Sequence, residues 1–259
     1  MARRWAVILG ASSGFGAAAA RAYAAEGYGI FGVHLDRRGT MPQVEALIAE
    51  LRATGVPVAF HNGNAADDDE RGRAVDALAA ALAASEGSVG VLLHSLAFGT
   101  LRPIFGETPL QRRHLEMTLD VMATSLVYWA QDLVNREMLG AGGRIFAMTS
   151  AGSFAAWPAY GAVSAAKSAL ESYIRQLAVE LAPRGITANA ILAGVTRTPA
   201  LDKIPGADKL VESGLARNPH GRLTTPEDVA ACLIALSTPG TQWMTGNVLR
   251  VDGGESIAG

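Results

Sequence analysis

Short apolar runs recur along the chain, at Trp5–Leu9, Gly29–Leu35, Val56–His61, Val89–His94, Arg144–Thr149, Ile186–Leu192 and Asn247–Val251. Most of them do not alternate apolar with polar residues. A strand with one wet face alternates; a strand covered on both faces reads as a continuous apolar run. The runs therefore predict strands of a parallel sheet sandwiched between helices. Longer Ala/Leu-rich stretches lie between them, at Ala17–Glu26, Gln43–Ala53, Asp67–Ser85, Leu110–Met138, Ser164–Leu181 and Pro226–Leu236. Pro226 behind Thr224 and Thr225 suits the first position of a threonine-capped helix. The acidic run Asp67–Glu70 suits the positive end of a helix dipole. This β–α alternation predicts an α/β fold: a Rossmann-type, doubly wound parallel sheet of about seven strands. No linker, repeat or low-complexity block divides it, so residues 1–259 are expected to form a single domain.

Composition narrows the class. The chain has 259 residues, 49% hydrophobic and 18% charged, enough apolar material for a large core and too much for a disordered chain. A net charge of −2 gives no basic surface for a nucleic-acid partner. Cys232 is the sole cysteine, which excludes an internal disulfide and a cysteine metal cluster; its apolar surroundings read as those of a small buried hydrophobe. The five histidines lack metal-ligand spacing, so no metal is expected. No apolar stretch reaches the roughly 18 residues of a membrane span. Arg3 and Arg4 look like the start of a signal segment, but Gly10 interrupts the apolar run behind them and no small-residue cleavage site follows. A cytoplasmic protein is expected.

The candidate chemistry begins at Gly10-Ala11-Ser12-Ser13-Gly14-Phe15-Gly16, after the first strand and opening the first helix. Glycines there permit a tight turn and close approach of the backbone to a pyrophosphate, which meets the free N–H groups of the helix start. A glycine-rich turn alone is weak evidence; between a first strand and a first helix it is good evidence. The spacing Gly-x-x-x-Gly-x-Gly resembles the short-chain dehydrogenase/reductase family, and the resemblance runs through essentially the whole chain. Asn64-Ala65 stands where that family carries an Asp-Val pair near the adenine. His94-Ser95-Leu96-Ala97 replaces its Asn-Asn-Ala-Gly after the fourth strand. Asn189 within Ile186–Ala190, and Val251-Asp252-Gly253-Gly254, match its later segments.

The resemblance implies a nicotinamide dinucleotide held by the Gly10–Gly16 turn (Gly10, Ser12, Ser13, Gly14, Phe15 and Gly16), with Asn64, Ala65, Ser95, Leu96 and Ala97 beside it. At the end of the second strand an acidic residue accepts from the ribose hydroxyls and favours NAD, whereas a basic one pairs with the 2′-phosphate and favours NADP. This sequence offers both. His34 occupies the family's usual acidic position, Asp36 follows two residues later, and then come Arg37 and Arg38. The two arginines tilt the expectation toward NADP(H).

The common family form uses Ser, Tyr and Lys, with the lysine four residues after the tyrosine. Lys167 falls in the lysine frame, and Ser150, 17 residues earlier, in the serine frame. Four residues before Lys167 stands Val163, which has no proton to donate. Tyr160 lies seven residues before Lys167, the spacing of bacterial enoyl-ACP reductases. Seven residues is about two helical turns, so both side chains can share a face. Met122 stands where carbonyl-reducing members place a relay asparagine. His94-Ser95 resembles the His-Ser pair of the enoyl reductases, and Ala193-Gly194-Val195-Thr196-Arg197-Thr198 resembles their Ala-Gly-Pro-Ile-Arg-Thr. There Gly194, Val195, Thr196 and Thr198 would meet the nicotinamide end, and Lys167 the ribose. A second tyrosine near Ser150, which many enoyl-ACP reductases carry, is missing. That departure, with the stretch from Thr198 to Arg222, resembles their NADPH-using form with an active-site serine.

Alone, each residue has an ordinary structural explanation: Tyr160 as packing beside Trp157 and Pro158, Ser150 as a strand end, Lys167 as a surface lysine. In one frame they imply reduction of a trans-2-enoyl thioester carried on ACP or CoA, with Tyr160, Lys167 and Ser150 catalytic. The same fold and cofactor would serve a carbonyl reductase or alcohol dehydrogenase. A catalytically silent nucleotide-binding protein is a further alternative, opposed by the intact trio. Residues 198–222 mix Pro and Gly with apolar residues, as suits a lid over an acyl chain. The resemblance also implies a homotetramer.

Overall fold

The computed structural model describes residues 3–258; Met1, Ala2 and Gly259 lie outside it. Seven strands are present among the described residues: Arg4–Leu9 (β1), Gly29–His34 (β2), Val58–Asn62 (β3), Ser88–His94 (β4), Leu139–Thr149 (β5), Thr187–Ala193 (β6) and Val248–Val251 (β7). They form one parallel sheet in the order β3-β2-β1-β4-β5-β6-β7. β1 shows why the strands read as unbroken apolar runs. Trp5, Val7 and Leu9 enter one core, Ala6 and Ile8 enter a second core on the other face, and none is more than 1% exposed.

Parallel neighbours need crossovers, and helices supply them. The helices are Gly14–Ala25 (α1), Met41–Ala53 (α2), Asp68–Ala84 (α3), Arg112–Leu119 (α4), Ser125–Asn135 (α5), Gly161–Leu181 (α6), Ala207–Arg217 (α7) and Pro226–Leu236 (α8). Tyr23, Leu47 and Leu233 carry α1, α2 and α8 onto one face of the sheet; Leu78, Trp129 and Leu170 carry α3, α5 and α6 onto the other. The two helix starts legible in the sequence are built as expected. Asp67 accepts the Glu70 N–H at 2.9 Å ahead of α3. Thr225 caps α8, with Pro226 in its first turn and Asp228 returning a 2.9 Å bond from the Thr225 N–H.

Three elements differ from the sequence pattern. The stretch expected as one helix over Leu110–Met138 is α4 and α5 joined by a π-helical turn, Asp120–Thr124. Ser125 Oγ donates back to the Val121 carbonyl at 2.8 Å and Thr124 Oγ1 to Asp120 Oδ1 at 2.8 Å, bonds that accompany the widened turn. β5 begins at Leu139 rather than Arg144, because Gly142 at φ +81° lets the strand continue through a register shift against β4. Part of the 198–222 segment is the ordered helix α7.

β1 lies between β2 and β4, so the winding reverses there, and a cleft opens beyond the carboxyl ends of these strands. Leu9 sits opposite Val33 and His94, and Thr149 opposite Leu192. The chain therefore leaves Gly10, Ser95, Ser150 and Gly194 along one rim.

Candidate active site

The glycine turn is shaped for close approach. Gly10 has φ +85°, and a Cβ there would lie 2.5 Å from the Ser95 carbonyl. A Cβ on Gly16 would strike the Gly10 carbonyl, so that glycine sets how closely α1 packs on the turn. Ser13 ends the turn as the N-cap of α1 without capping it through its side chain, and no acidic residue stands in the first helical turn. Free N–H groups and the dipole's positive end thus face the cleft. Ser12, Ser13 and Gly14 line a cavity of about 330 Å³ together with Arg197 and Pro199. Thr198 approaches Gly14 from the other side, its Cγ2 within 3.4 Å of a Cβ built there. This cradle fits a dinucleotide pyrophosphate.

The remaining cofactor candidates lie around the same rim. Ser95 N–H donates to Leu9 O at 2.9 Å, Leu96 packs on the core and Ala97 is exposed. The Asn64 side chain accepts the Ala66 N–H at 3.0 Å, and the Ala65 carbonyl accepts Trp129 Nε1 at 2.9 Å, so this corner is fixed by its own bonds. Phe15 is partly buried against the α1 core. Thr196 is buried and donates to Gly194 O at 2.9 Å, while Val195 N–H donates to Glu255 at 2.8 Å. At the end of β2, His34 Nδ1 lies 3.0 Å from Asp36 Oδ2, and the Asp36 N–H donates to Asn62 Oδ1 at 3.1 Å. Burial alone would raise the Asp36 carboxyl, but bonds from Thr40, Ser12 and His34 outweigh it and hold the carboxyl below its usual range. Arg37 and Arg38 are exposed.

Tyr160 reaches the rim by a tight turn. Its N–H donates to Trp157 O at 3.2 Å, Pro158 takes the second position and Ala159 the third, at φ +62°. That is a type II turn with alanine where glycine is usual, at a cost of roughly 1–2 kcal/mol. Tyr160 is then the N-cap residue of α6, its ring edge-on to Trp157 at 5.8 Å. Its ring and Ser150 Oγ approach the same point, lying 2.5 Å and 3.1 Å from a Cβ built on Gly152. Burial raises the phenol above its ordinary value, and the Ser150 hydroxyl only partly counters it. Lys167 does not offset this: its Nζ donates to Met148 O at 2.6 Å, and the phenol remains raised.

Lys167 is 5% exposed. Burial lowers its ammonium from 10.5 to about 8, against the opposing pull of Glu171 one turn on. Glu171 is fixed by a 2.6 Å bond from Thr149 Oγ1. Beneath this pair lies His94, wholly buried. Ser125 gives its own proton to Val121 O, so His94 Nε2 is the donor in the 2.9 Å contact with Ser125 Oγ. Burial, then the charge of Lys167, lowers His94 to about 3, and it is neutral at physiological pH.

The two positions where carbonyl-reducing members carry Asn and Tyr both face Gly99. A Cβ on Gly99 would lie 2.8 Å from Met122 Sδ and from Val163 Cγ2 alike. Both side chains are buried in the same hydrophobic core, at 3% and 4% exposure, and neither has a proton to relay.

The sequence model of the family described as enoyl-(acyl carrier protein) reductase matches residues 10–256. The chain belongs to the short-chain dehydrogenase/reductase family. Among its relatives is the NADH-dependent enoyl-[acyl-carrier-protein] reductase of Aquifex aeolicus, 32% identical over 67% of this chain and 64% of that protein. The 1-cyclohexenylcarbonyl-CoA reductase of Streptomyces collinus is 30% identical over 98% of this chain and 88% of that protein. D-threitol dehydrogenase of Mycolicibacterium smegmatis is 32% identical over 97% and 92%. The crystal structure of the Aquifex aeolicus enzyme superposes with a TM-score of 0.83 at 25% identity, covering 99% of this chain and 97% of that one. A Burkholderia cenocepacia short-chain dehydrogenase in complex with NADP superposes equally well, at 25% identity over 98% of each chain.

This short-chain dehydrogenase/reductase is thus a nicotinamide-dependent oxidoreductase, and its fold brings Ser150, Tyr160 and Lys167 to one rim with the glycine turn. Three side chains that sequence reasoning passed over serve that rim. Glu171 supports the Lys167 charge, Glu255 orients the Val195 N–H, and Arg197 lines the cleft. Glu171 was findable, one helical turn beyond Lys167; Glu255 comes from the far end of the chain, and only the β6–β7 pairing brings it in. Cys232 is a half-buried free thiol, raised by burial, with no part in the site. No group of metal-binding side chains occurs among the described residues, and no described helix is long and apolar enough to cross a membrane.

Proposed function

We propose that this oxidoreductase reduces the carbon–carbon double bond of a trans-2-enoyl thioester with NADPH. The observation that carries the reading is the exchange of positions at the site. Val163 and Met122 fill the usual tyrosine and asparagine places with apolar side chains of the core, while Tyr160 stands in the turn ahead of α6. Relatives named enoyl-[acyl-carrier-protein] reductase and 1-cyclohexenylcarbonyl-CoA reductase support it.

When bound, the nicotinamide supplies a hydride, here to the β-carbon of the enoyl group. The double-bond electrons then move toward the thioester oxygen as an enolate, and a proton adds at the α-carbon. Tyr160 donates a hydrogen bond to that oxygen. A phenol kept protonated by burial and set beside Ser150 is a preorganised donor that strengthens as the negative charge develops. The Lys167 ammonium holds the ribose hydroxyls. Asp36 already engages its carboxylate with His34, which leaves the exposed Arg37 and Arg38 for a 2′-phosphate. A homotetramer accords with β7 as an edge strand beside Trp243, which is 98% exposed.

The second reading, a carbonyl or alcohol oxidoreductase, is favoured by relatives such as D-threitol dehydrogenase. Loss of nicotinamide absorbance separates the two. Crotonyl-CoA should be reduced, faster with NADPH than with NADH, and a panel of ketones should not. Turnover of ketones with none of crotonyl-CoA would select the second reading.

A further inference from the structure

Gly194-Val195-Thr196 leaves the carboxyl end of β6 on the same rim as the glycine turn, and Thr198 then leans on Gly14. Asp36 follows the end of β2, on one side of that turn, and Ser150 follows the end of β5, on the other. A dinucleotide with its pyrophosphate at the glycine turn and its adenosine beside β2 sends its nicotinamide half toward the β5 and β6 ends, and so toward this segment. Residues 194–198 belong to no helix or strand. What holds them comes from the far end of the chain.

The Val195 N–H donates to Glu255 Oε2 at 2.8 Å. The other oxygen of the same carboxylate, Oε1, accepts from Arg217 Nη2 at 3.3 Å, at the end of α7. Glu255 is only 6% exposed. It reaches the rim because the tail folds back on Asp252, whose Oδ1 accepts the Gly254 N–H at 3.0 Å and whose carbonyl accepts the Glu255 N–H at 3.1 Å. Gly253 and Gly254, at φ +61° and +86°, make that fold possible. α7 also packs on the segment: a Cβ on Gly214 would lie 2.8 Å from Val195 Cβ.

A carboxylate is costly to bury, and the side chain of its ionic partner, Arg217, is 46% exposed. For packing alone an apolar side chain would serve better. What the carboxylate adds is a directed, charge-assisted acceptor for one backbone N–H. In the segment that this stretch resembles, Ala-Gly-Pro-Ile-Arg-Thr, the place of Val195 is taken by proline, whose ring fixes φ and which has no N–H. Val195 has neither that restraint nor a ladder partner for its N–H. Glu255 supplies the partner and restrains the backbone where the ring would.

We propose that Glu255 is a positioning residue for the nicotinamide half of the cofactor, fixing the Val195 backbone in place of a proline and tying it, through Arg217, to α7. The inference rests on the nicotinamide dependence of the family and stands whether the substrate is an enoyl thioester or a carbonyl compound.

The test uses the full chain and compares Glu255→Ala, Glu255→Gln and Glu255→Ala/Val195→Pro. Calorimetry measures the dinucleotide that the parent binds more tightly, NADPH or NADH, against its adenine fragment, 2′,5′-ADP or ADP, which lacks the nicotinamide. Glu255→Ala should weaken the dinucleotide roughly tenfold, as expected for the loss of one charge-assisted bond, and leave the fragment unchanged. Glu255→Gln, which still offers an oxygen to the Val195 N–H, should keep most of the affinity. Adding Val195→Pro to Glu255→Ala should restore it, because the ring restrains the backbone without the bond. In the unliganded protein, hydrogen exchange over 194–198 and α7 should quicken in Glu255→Ala and stay as in the parent over α1. Glu255→Met, which keeps the volume and loses both oxygens, carries the same expectations if the alanine variant does not fold. Equal weakening of dinucleotide and fragment would mean a merely structural role and overturn the proposal. So would no weakening of either, or a double variant that binds the dinucleotide no better than Glu255→Ala.

Discussion

At the scale of single residues the account turns on which group faces the developing enolate. Tyr160→Phe removes one hydroxyl and leaves the ring against Trp157 and Gly152. Turnover should fall about 10²–10³-fold, the usual effect of losing one oxyanion donor, with cofactor affinity nearly unchanged. Lys167→Ala should lower both. Val163→Tyr should not rescue Tyr160→Phe, because that position is packed against Gly99 in the core. Lys167 also sets a pH dependence. Its folded value, about 8, lies below the ordinary 10.5. Below pH 8 the ammonium is charged in both folded and unfolded chains. Between about 8 and 10.5 the unfolded chain keeps a proton that the folded one has released, so this group's contribution to stability rises with pH. Activity that needs the ammonium falls over the same range. A pH–rate profile should drop through pH 8 without a parallel loss of thermal stability from this group, and Glu171→Gln should move the drop to lower pH. A profile flat to pH 10 would mean that the Lys167 charge is not required.

At the scale of elements, the five inner strands were legible because burial on both faces leaves a simple signature, and the starts of α3 and α8 because capping chemistry is local. The exceptions have long-range causes. The early start of β5 depends on Gly142 accommodating a shift against β4, and the π-helical turn depends on Thr124 and Ser125 bonding backwards within an otherwise regular apolar pattern. The expected lid at 198–222 is two unlike parts. Its later half is fastened: Val211 and Gly214 are buried in α7, Asn218 Nδ2 donates to Asp252 O at 3.0 Å, and Arg217 pairs with Glu255 at 3.3 Å. Its first half, through Leu201–Lys203, is tied mainly by local turns on Thr198, which itself leans on Gly14. Hydrogen exchange should be faster over 199–206 than over α6, and should slow there when cofactor and an enoyl thioester are added. Equally slow exchange in both, unaltered by ligands, would show that the segment is a fixed part of the fold.

At the scale of the whole molecule, a sheet wound outward from β1 gathers chain segments from Gly10 to Glu255 on one rim, and the candidate site is that rim. The sequence frame located Lys167, Ser150 and the glycine turn because each has a fixed distance from a strand or helix boundary. It placed Tyr160 only by spacing; the turn through Ala159 that raises it to Ser150 follows from the folded backbone. The central claim is a reaction at a carbon–carbon bond. It is tested most directly by reducing crotonyl-CoA with NADPH deuterated at the transferred C4 position and locating the label. The account predicts butyryl-CoA with one deuterium on the β-carbon and a solvent proton on the α-carbon. Consumption of crotonyl-CoA without deuterium at the β-carbon, or deuterium delivered only to the carbinol carbon of a ketone substrate, would contradict it.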